Sequence, residues 1–291
     1  MFKDIITLAR PHQYTKNLFI FAPLFFAGML FDVASLTNTF ITFCLFSLAA
    51  SAIYILNDIK DVAEDKLHPV KKYRPIANNN VSRSAALIWS VSLALFSIIC
   101  SAFFSIEVMM VIACYILLNI AYSLGLKHVS IVDISIISVG FVLRILAGVG
   151  AINIPASMWI VVMTFLLALF LALAKRRDDV LLSCQGLNTR KSIDGYNLDF
   201  VNAAMIIMAS VTVVAYIFYT ISAEVQLRLQ TEHLYLTVIF VLIGILRYMQ
   251  ITFVENNSGS PTKIVLKDRF LQLTILSWAA SFGSIIYLGG S

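Results

Sequence analysis

Three aspartates, Asp58, Asp61 and Asp65, follow an apolar run at intervals of three and four residues. A helix continued through them carries all three carboxylates on one face, with Asn57 on a slightly wider arc. Carboxylates in such a row repel one another and call for a cation. Oxygen ligands suit a hard divalent ion, and Mg²⁺ keeps some of its waters and completes its shell with substrate phosphate. The row therefore reads as a Mg²⁺ site for a diphosphate, with Asp58, Asp61 and Asp65 as the expected metal ligands and catalytic acids. Directly after it come Lys66, His68, Lys71, Lys72 and Arg74. These basic groups suit anionic oxygens that the metal does not reach, and Lys71 and Arg74 are expected to bind substrate, as is Asn57.

Smaller groups stand elsewhere. The opening Arg10-Pro-His-Gln-Tyr-Thr-Lys-Asn17 sets Lys16 and Asn17 at the start of an apolar run, where they can meet phosphate or sugar hydroxyls. Arg10 reads equally as a headgroup anchor. Farther on, Tyr122, Ser123 and Lys127 precede Asp133, and Asp133, Gly140 and Arg144 share one helical stripe. Tyr122, Lys127 and Asp133 are expected to act in catalysis. Arg144, roughly 16 Å along the helix from Asp133, either lines a substrate cavity or pairs with an acid, because an arginine inside an apolar span is costly otherwise. Lys175, Arg176 and Arg177, followed by Asp178 and Asp179, read as substrate contacts or as an ordinary cytoplasmic anchor.

The elements that must position these groups are membrane helices. The 291 residues are 60% hydrophobic and 13% charged, with a mean hydropathy of +0.89. Long apolar runs without strict alternation exclude a membrane β-barrel. Nine spans are expected, at 17–35, 36–56, 84–104, 107–123, 131–150, 156–174, 200–222, 234–253 and 270–288. With the N-terminus in the cytoplasm, inner segments carry 3 Lys or Arg before the first span, 6 in 57–83, 1 in 124–130, 5 in 175–199 and 3 in 254–269. Of the 21, only Arg228 falls in an outer loop, while Arg144 and Arg247 lie within spans. This orients the chain with its C-terminus outside and its site facing the cytoplasm, in an inner membrane. The net charge of +5 is thereby explained without nucleic acid. The opening residues read as an interfacial helix leading into a retained span rather than a cleaved signal. One membrane domain, 1–291, is expected, with functional cytoplasmic loops at 57–83 and 175–199. Cys44, Cys100, Cys114 and Cys184 form no Cys-x-x-Cys pair, so neither a disulfide framework nor zinc is indicated.

Asn57-Asp-Ile-Lys-Asp61-Val-Ala-Glu-Asp65 resembles the N-D-x-x-D-x-x-x-D motif of the UbiA superfamily of intramembrane prenyltransferases. The span count and loop placement are similar over nearly the whole chain. Within the superfamily, the decaprenyl-phosphate phosphoribosyltransferase branch is the most similar. Arg10-Pro-His-Gln, Lys16-Asn17, Asp65 to Ile76, Tyr122-Ser, Leu126-Lys-His128, Phe141-Val-Leu-Arg144 and Leu171-Ala-Leu-Ala-Lys-Arg-Arg177 carry that likeness. The resemblance implies an all-α membrane protein with nine helices around a central cavity open to the cytoplasm. It implies Mg²⁺-dependent transfer of 5-phosphoribosyl from phosphoribosyl pyrophosphate to a polyprenyl phosphate, serving lipid-linked pentose or arabinose donors for envelope polysaccharide. Members acting on aromatic acceptors usually carry a second acid-rich motif after the sixth span, where this chain has Lys175–Arg177. Prenyl transfer to a small acceptor is the alternative. A cation-coupled transporter is a third reading, opposed by acids that cluster at one membrane boundary rather than at the midplane. A homo-oligomer is compatible with either enzyme reading.

Overall fold

The computed structural model describes residues 2–67, 70–184 and 191–288, and His68 lies outside them. Among the described residues the chain is helical, without strands. Contacts group it into two compact units, Met1–Leu126 with Gly140–Ala156, and Lys127–Val139 with Ser157–Ser291.

The first unit begins with α1 (Phe2–Ala9), a 3-10 helix at Pro11–Phe21 and α2 (Ala22–Phe26). These lead to α3 (Val33–Lys60), α4 (Val62–Leu67), α5 (Arg83–Phe104) and α6 (Ile106–Leu124). Polar caps set the helix starts. Asp32 accepts from the Ser35 amide at 3.0 Å, Ser82 from Ala85 at 3.2 Å and Ser105 from Val108 at 3.4 Å. At 28 residues, α3 is about 42 Å long. It therefore outruns the roughly 30 Å hydrocarbon core and carries Asn57 and Asp58 in its last turn. Two buried serines of α5 donate to α3 carbonyls, Ser90 to Ala52 and Ser97 to Leu45, each at 2.7 Å. Such small polar contacts join helices where burying apolar surface gains nothing against lipid.

Helix α7 (Val132–Ile152) contributes to both units. The second also holds α8 (Met158–Cys184), α9 (Leu198–Ile221), α10 (Ala223–Leu229), α11 (Val238–Phe253), α12 (Pro261–Lys267) and α13 (Arg269–Leu288). Its core gathers Phe170, Leu173, Val201, Met205, Tyr248 and Ile251 from α8, α9 and α11. Arg247, expected inside a span, is held near the end of α11 by Asp268 at 2.7 Å and Glu255 at 2.9 Å.

Eight helices among the described residues are long and apolar enough to cross a membrane. The run expected as the first span, 17–35, is instead segmented. Pro23 has no N–H to give, so the chain changes there from 3-10 to α geometry, and it turns at Gly28 (φ 73°) before Asp32 starts α3. This segment packs closely on α7. A Cβ added to Gly148 would collide with the Ile20 carbonyl oxygen, a backbone atom. We expect Gly148→Ala to lower stability by about 1–3 kcal/mol in thermal unfolding of the detergent-solubilised protein. Gly244→Ala, which meets only the Thr274 methyl at 3.6 Å, should leave the transition almost unmoved.

Candidate active site

In the first unit the acidic row is brought together at the joint between α3 and α4. Asp61 is the C-terminal cap of α3, and the backbone runs on almost helically through it. Its amide donates to Asn57 O at 2.9 Å and its carbonyl accepts from the Asp65 amide at 2.8 Å. Asp58 and Asp65 thus stay on one side, each only 2% exposed. Their repulsion, added to the negative end of the α3 dipole, is answered by arginines. Arg74 Nη1 donates to Asp58 Oδ1 at 2.9 Å and to Asp65 Oδ2 at 2.6 Å, and Arg10 Nη2 also bonds Asp58 Oδ1. Arg10 holds a left-handed backbone (φ 52°) and lies 5.5 Å from the Tyr54 ring centre.

Neighbouring groups fix the surroundings. Asn57 Oδ1 accepts from Ser123 Oγ, and Lys60 Nζ reaches the Ser123 carbonyl at 3.4 Å. The start of the chain is tied to α3 as well. Tyr14 OH meets Ser51 Oγ at 2.8 Å, and buried Asn17 donates to Ser47 Oγ at 2.9 Å. Asn17 Oδ1 in turn accepts from Arg144 Nε at 2.9 Å, while Arg144 Nη1 donates to Gly140 O at 2.7 Å. The Arg144 guanidinium lies over Phe46 (5.1 Å), Tyr115 (5.1 Å) and Phe141 (5.4 Å).

The donor set fits a hard divalent ion. Arg74 shows that Asp58 and Asp65 are spaced to share one cation, and Mg²⁺ is usually held by one or two carboxylates plus substrate phosphate. Of the three acids assigned to metal from sequence, two are gathered on that cation. No group of three His, Cys, Asp or Glu ligands stands together among the described residues.

In the second unit Asp133 is wholly buried and engaged. Arg176 Nε lies 2.8 Å from Asp133 Oδ2, an ion pair not aligned as a hydrogen bond, and Arg176 Nη1 bonds Asp179. Tyr196 OH donates to Asp133 Oδ1 at 2.7 Å and accepts from the Ile131 amide at 2.6 Å. Burial pushes the Tyr196 phenol up from its ordinary value, and the bond to Asp133 pushes it the same way. Arg177 spends all three nitrogens on protein: Asn202 Oδ1 at 3.0 Å, Thr252 O at 2.7 Å and Asn256 Oδ1 at 3.0 Å. Asp133, Arg176 and Arg177, expected as catalytic or substrate groups, are thus each engaged by protein partners, because a charge without water takes whatever counter-group the fold offers.

The remaining expected residues differ in exposure. Lys71 is exposed on the 3-10 helix Lys71–Tyr73, and Tyr122, Lys127, Lys16 and Lys175 are half-buried. Sequence reasoning missed Lys60, Tyr54, Tyr196 and the aromatic rings around Arg144. Only Tyr196 carried a signal, its place in the charged loop 175–199.

This fold has known counterparts. The model of the UbiA prenyltransferase family matches residues 18–276, and the chain belongs to that family. Among its relatives, the decaprenyl-phosphate phosphoribosyltransferase of Mycolicibacterium smegmatis is 35% identical over 97% of this chain and 92% of its own length. The protein of that name from Mycobacterium tuberculosis is 31% identical over 98% and 95%. A solved UbiA homolog from Archaeoglobus fulgidus bound to DMAPP and Mg²⁺ superposes with a TM-score of 0.73, at 15% identity, over 97% of this chain and 99% of that one. That identity speaks for the fold. Membership and the apolar helices make this an integral membrane protein.

The geometry separates Asp133 from the joint acids in kind. Asp133→Asn should leave the Arg176 charge buried with too little compensation and lower stability by about 3–5 kcal/mol. The drop is expected as a lower melting temperature and a poorer yield of folded protein. Asp58→Asn, whose partners Arg10 and Arg74 are 20% and 27% exposed, should cost less, because those arginines reach water.

Proposed function

We propose that the chain transfers 5-phosphoribosyl from phosphoribosyl pyrophosphate to a polyprenyl phosphate, releasing pyrophosphate, at the Asp58–Arg74–Asp65 joint. The observation that carries this reading is a pair of buried carboxylates sharing one cation. It stands in a chain related over nearly its whole length to enzymes named for that transfer. Asp58 and Asp65 would hold Mg²⁺, with Asp61 beside them in the chain. Bound there, the ion supplies positive charge that stabilises the departing pyrophosphate.

The chain's own groups account for the rest. Arg10 and Arg74, only partly buried, are placed to turn from the carboxylates to phosphate oxygens, where bidentate guanidinium contacts are strongest. Asn57, Ser123 and Tyr122 are hydrogen-bonding groups for the ribose hydroxyls. Lys16, Lys71, Lys127 and Lys175 remain candidates for further phosphate contacts from the sequence. The bond from ribosyl C1 to pyrophosphate oxygen breaks with its electron pair on the leaving group, and an acceptor phosphate oxygen forms the new bond to C1. The acceptor is already anionic, so no proton has to be removed and no general base is required. Positioning and electrostatics carry the barrier reduction. The distribution of Lys and Arg supports a site that faces the cytoplasm, with the N-terminus on that side and the C-terminus outside.

The test is transfer of label from phosphoribosyl pyrophosphate into an organic-extractable product by purified protein with polyprenyl phosphate. We expect label with Mg²⁺ and none with a chelator. Asp58→Asn should cut turnover by about 100-fold or more while the protein stays folded. Label that appears only when a prenyl diphosphate is the donor would replace this reading with prenyl transfer to a small acceptor.

A further inference from the structure

Every arginine so far placed in an ion pair has a carboxylate within 4 Å, namely Arg10, Arg74, Arg176 and Arg247. Arg177 has none, but all three of its nitrogens donate to oxygen. Arg144 differs from both groups. It is 5% exposed within the apolar helix α7, and among the described residues no acid pairs with it. Among the described residues Nε and Nη1 each have one protein acceptor, and Nη2 has none. A guanidinium stacks by its face and donates at its edge. Phe46, Tyr115 and Phe141 therefore steady the charge without using the remaining N–H groups. Asn17 is oriented to match, its amide nitrogen on Ser47 and its oxygen turned to Arg144.

We propose that Arg144 is the anchor of a phosphate monoester subsite, an inference that rests on the phosphoribosyl reading above. A buried, stacked cation lacking one negative charge and keeping N–H donors at its edge is matched by a monoester, which brings both the charge and the oxygens for a forked contact. In that reaction two such groups exist, the headgroup of the polyprenyl phosphate and the 5-phosphate of the donor.

The experiment titrates polyprenyl phosphate and phosphoribosyl pyrophosphate separately onto the purified full chain, with melting temperature recorded for each variant. Arg144→Met, which fills the aromatic box without charge, should weaken one ligand about tenfold or more and leave the other within about twofold. The ligand that weakens identifies the source of the phosphate. Asn17→Asp is the second variant. It sets a carboxylate against the guanidinium, so the melting temperature should hold or rise while the same ligand weakens. This variant decides the matter if Arg144→Met does not fold. Unchanged binding of both ligands in Asn17→Asp would make Arg144 a purely structural group, and so would equal loss of both ligands in both variants. A wild type that binds polyprenyl phosphate through Arg144 yet transfers no phosphoribose would sink the proposed reaction and leave the subsite standing.

Discussion

A charge carried into a membrane helix has to be met there, because lipid offers it neither water nor dielectric screening. The described parts of this chain are arranged around that constraint. Asp58 and Asp65 are almost wholly enclosed at the joint of α3 and α4, and Arg10 and Arg74 are brought to them from segments before and after. Asp133 is enclosed at the start of α7 and Arg176 on α8 meets it.

The two clusters nevertheless differ in what they can do. The side chains of Arg10 and Arg74 are 20% and 27% exposed, against 1% for Arg176. An arginine with a route to water can leave a carboxylate when another cation arrives, and it remains solvated while it does so. Arg176 has no such route, and releasing it would strand both its own charge and that of Asp133, a loss of several kcal/mol. The difference supports the proposal that chemistry belongs with the first cluster and scaffolding with the second. The Tyr196 hydroxyl adds to the scaffold by bonding Asp133 and the amide of Ile131, a β-branched residue held at φ 69°.

The sequence made the helical membrane class, most span limits and the acidic joint legible, since apolar length and the spacing of Asp58, Asp61 and Asp65 are local properties. It could not show that the first expected span changes from 3-10 to α geometry and turns at Gly28, because hydropathy does not register backbone geometry. Nor could it assign partners to charges. Asp133 and Arg144 share a stripe of α7 and look alike as inward-facing ions, yet one is paired from α8 and the other has no acid partner among the described residues. Lys175, Arg176 and Arg177 are consecutive, so a helix points them in different directions. Arg176 goes to Asp133 and Asp179, and Arg177 goes to the end of α11. Pairing is a tertiary property, and a run of like residues conceals it.

Charge accounting links the acidic joint to the reaction proposed for it. Without substrate, the two buried carboxylates, Asp58 and Asp65, are met by two guanidinium groups, Arg10 and Arg74, and these four charges balance. A diphosphate alone would meet two carboxylates and be repelled, and a divalent cation alone would meet two guanidinium groups. Arriving together, cation and diphosphate can exchange partners with the resident ions: carboxylates to metal, arginines to phosphate. The exchange nearly conserves the number of opposite-charge contacts, so it avoids the desolvation penalty that would oppose binding either one separately. Under the proposed reaction, a site balanced in this way would select a metal–diphosphate complex over its parts, and would do so with residues that a membrane protein needs in any case to keep its buried carboxylates folded.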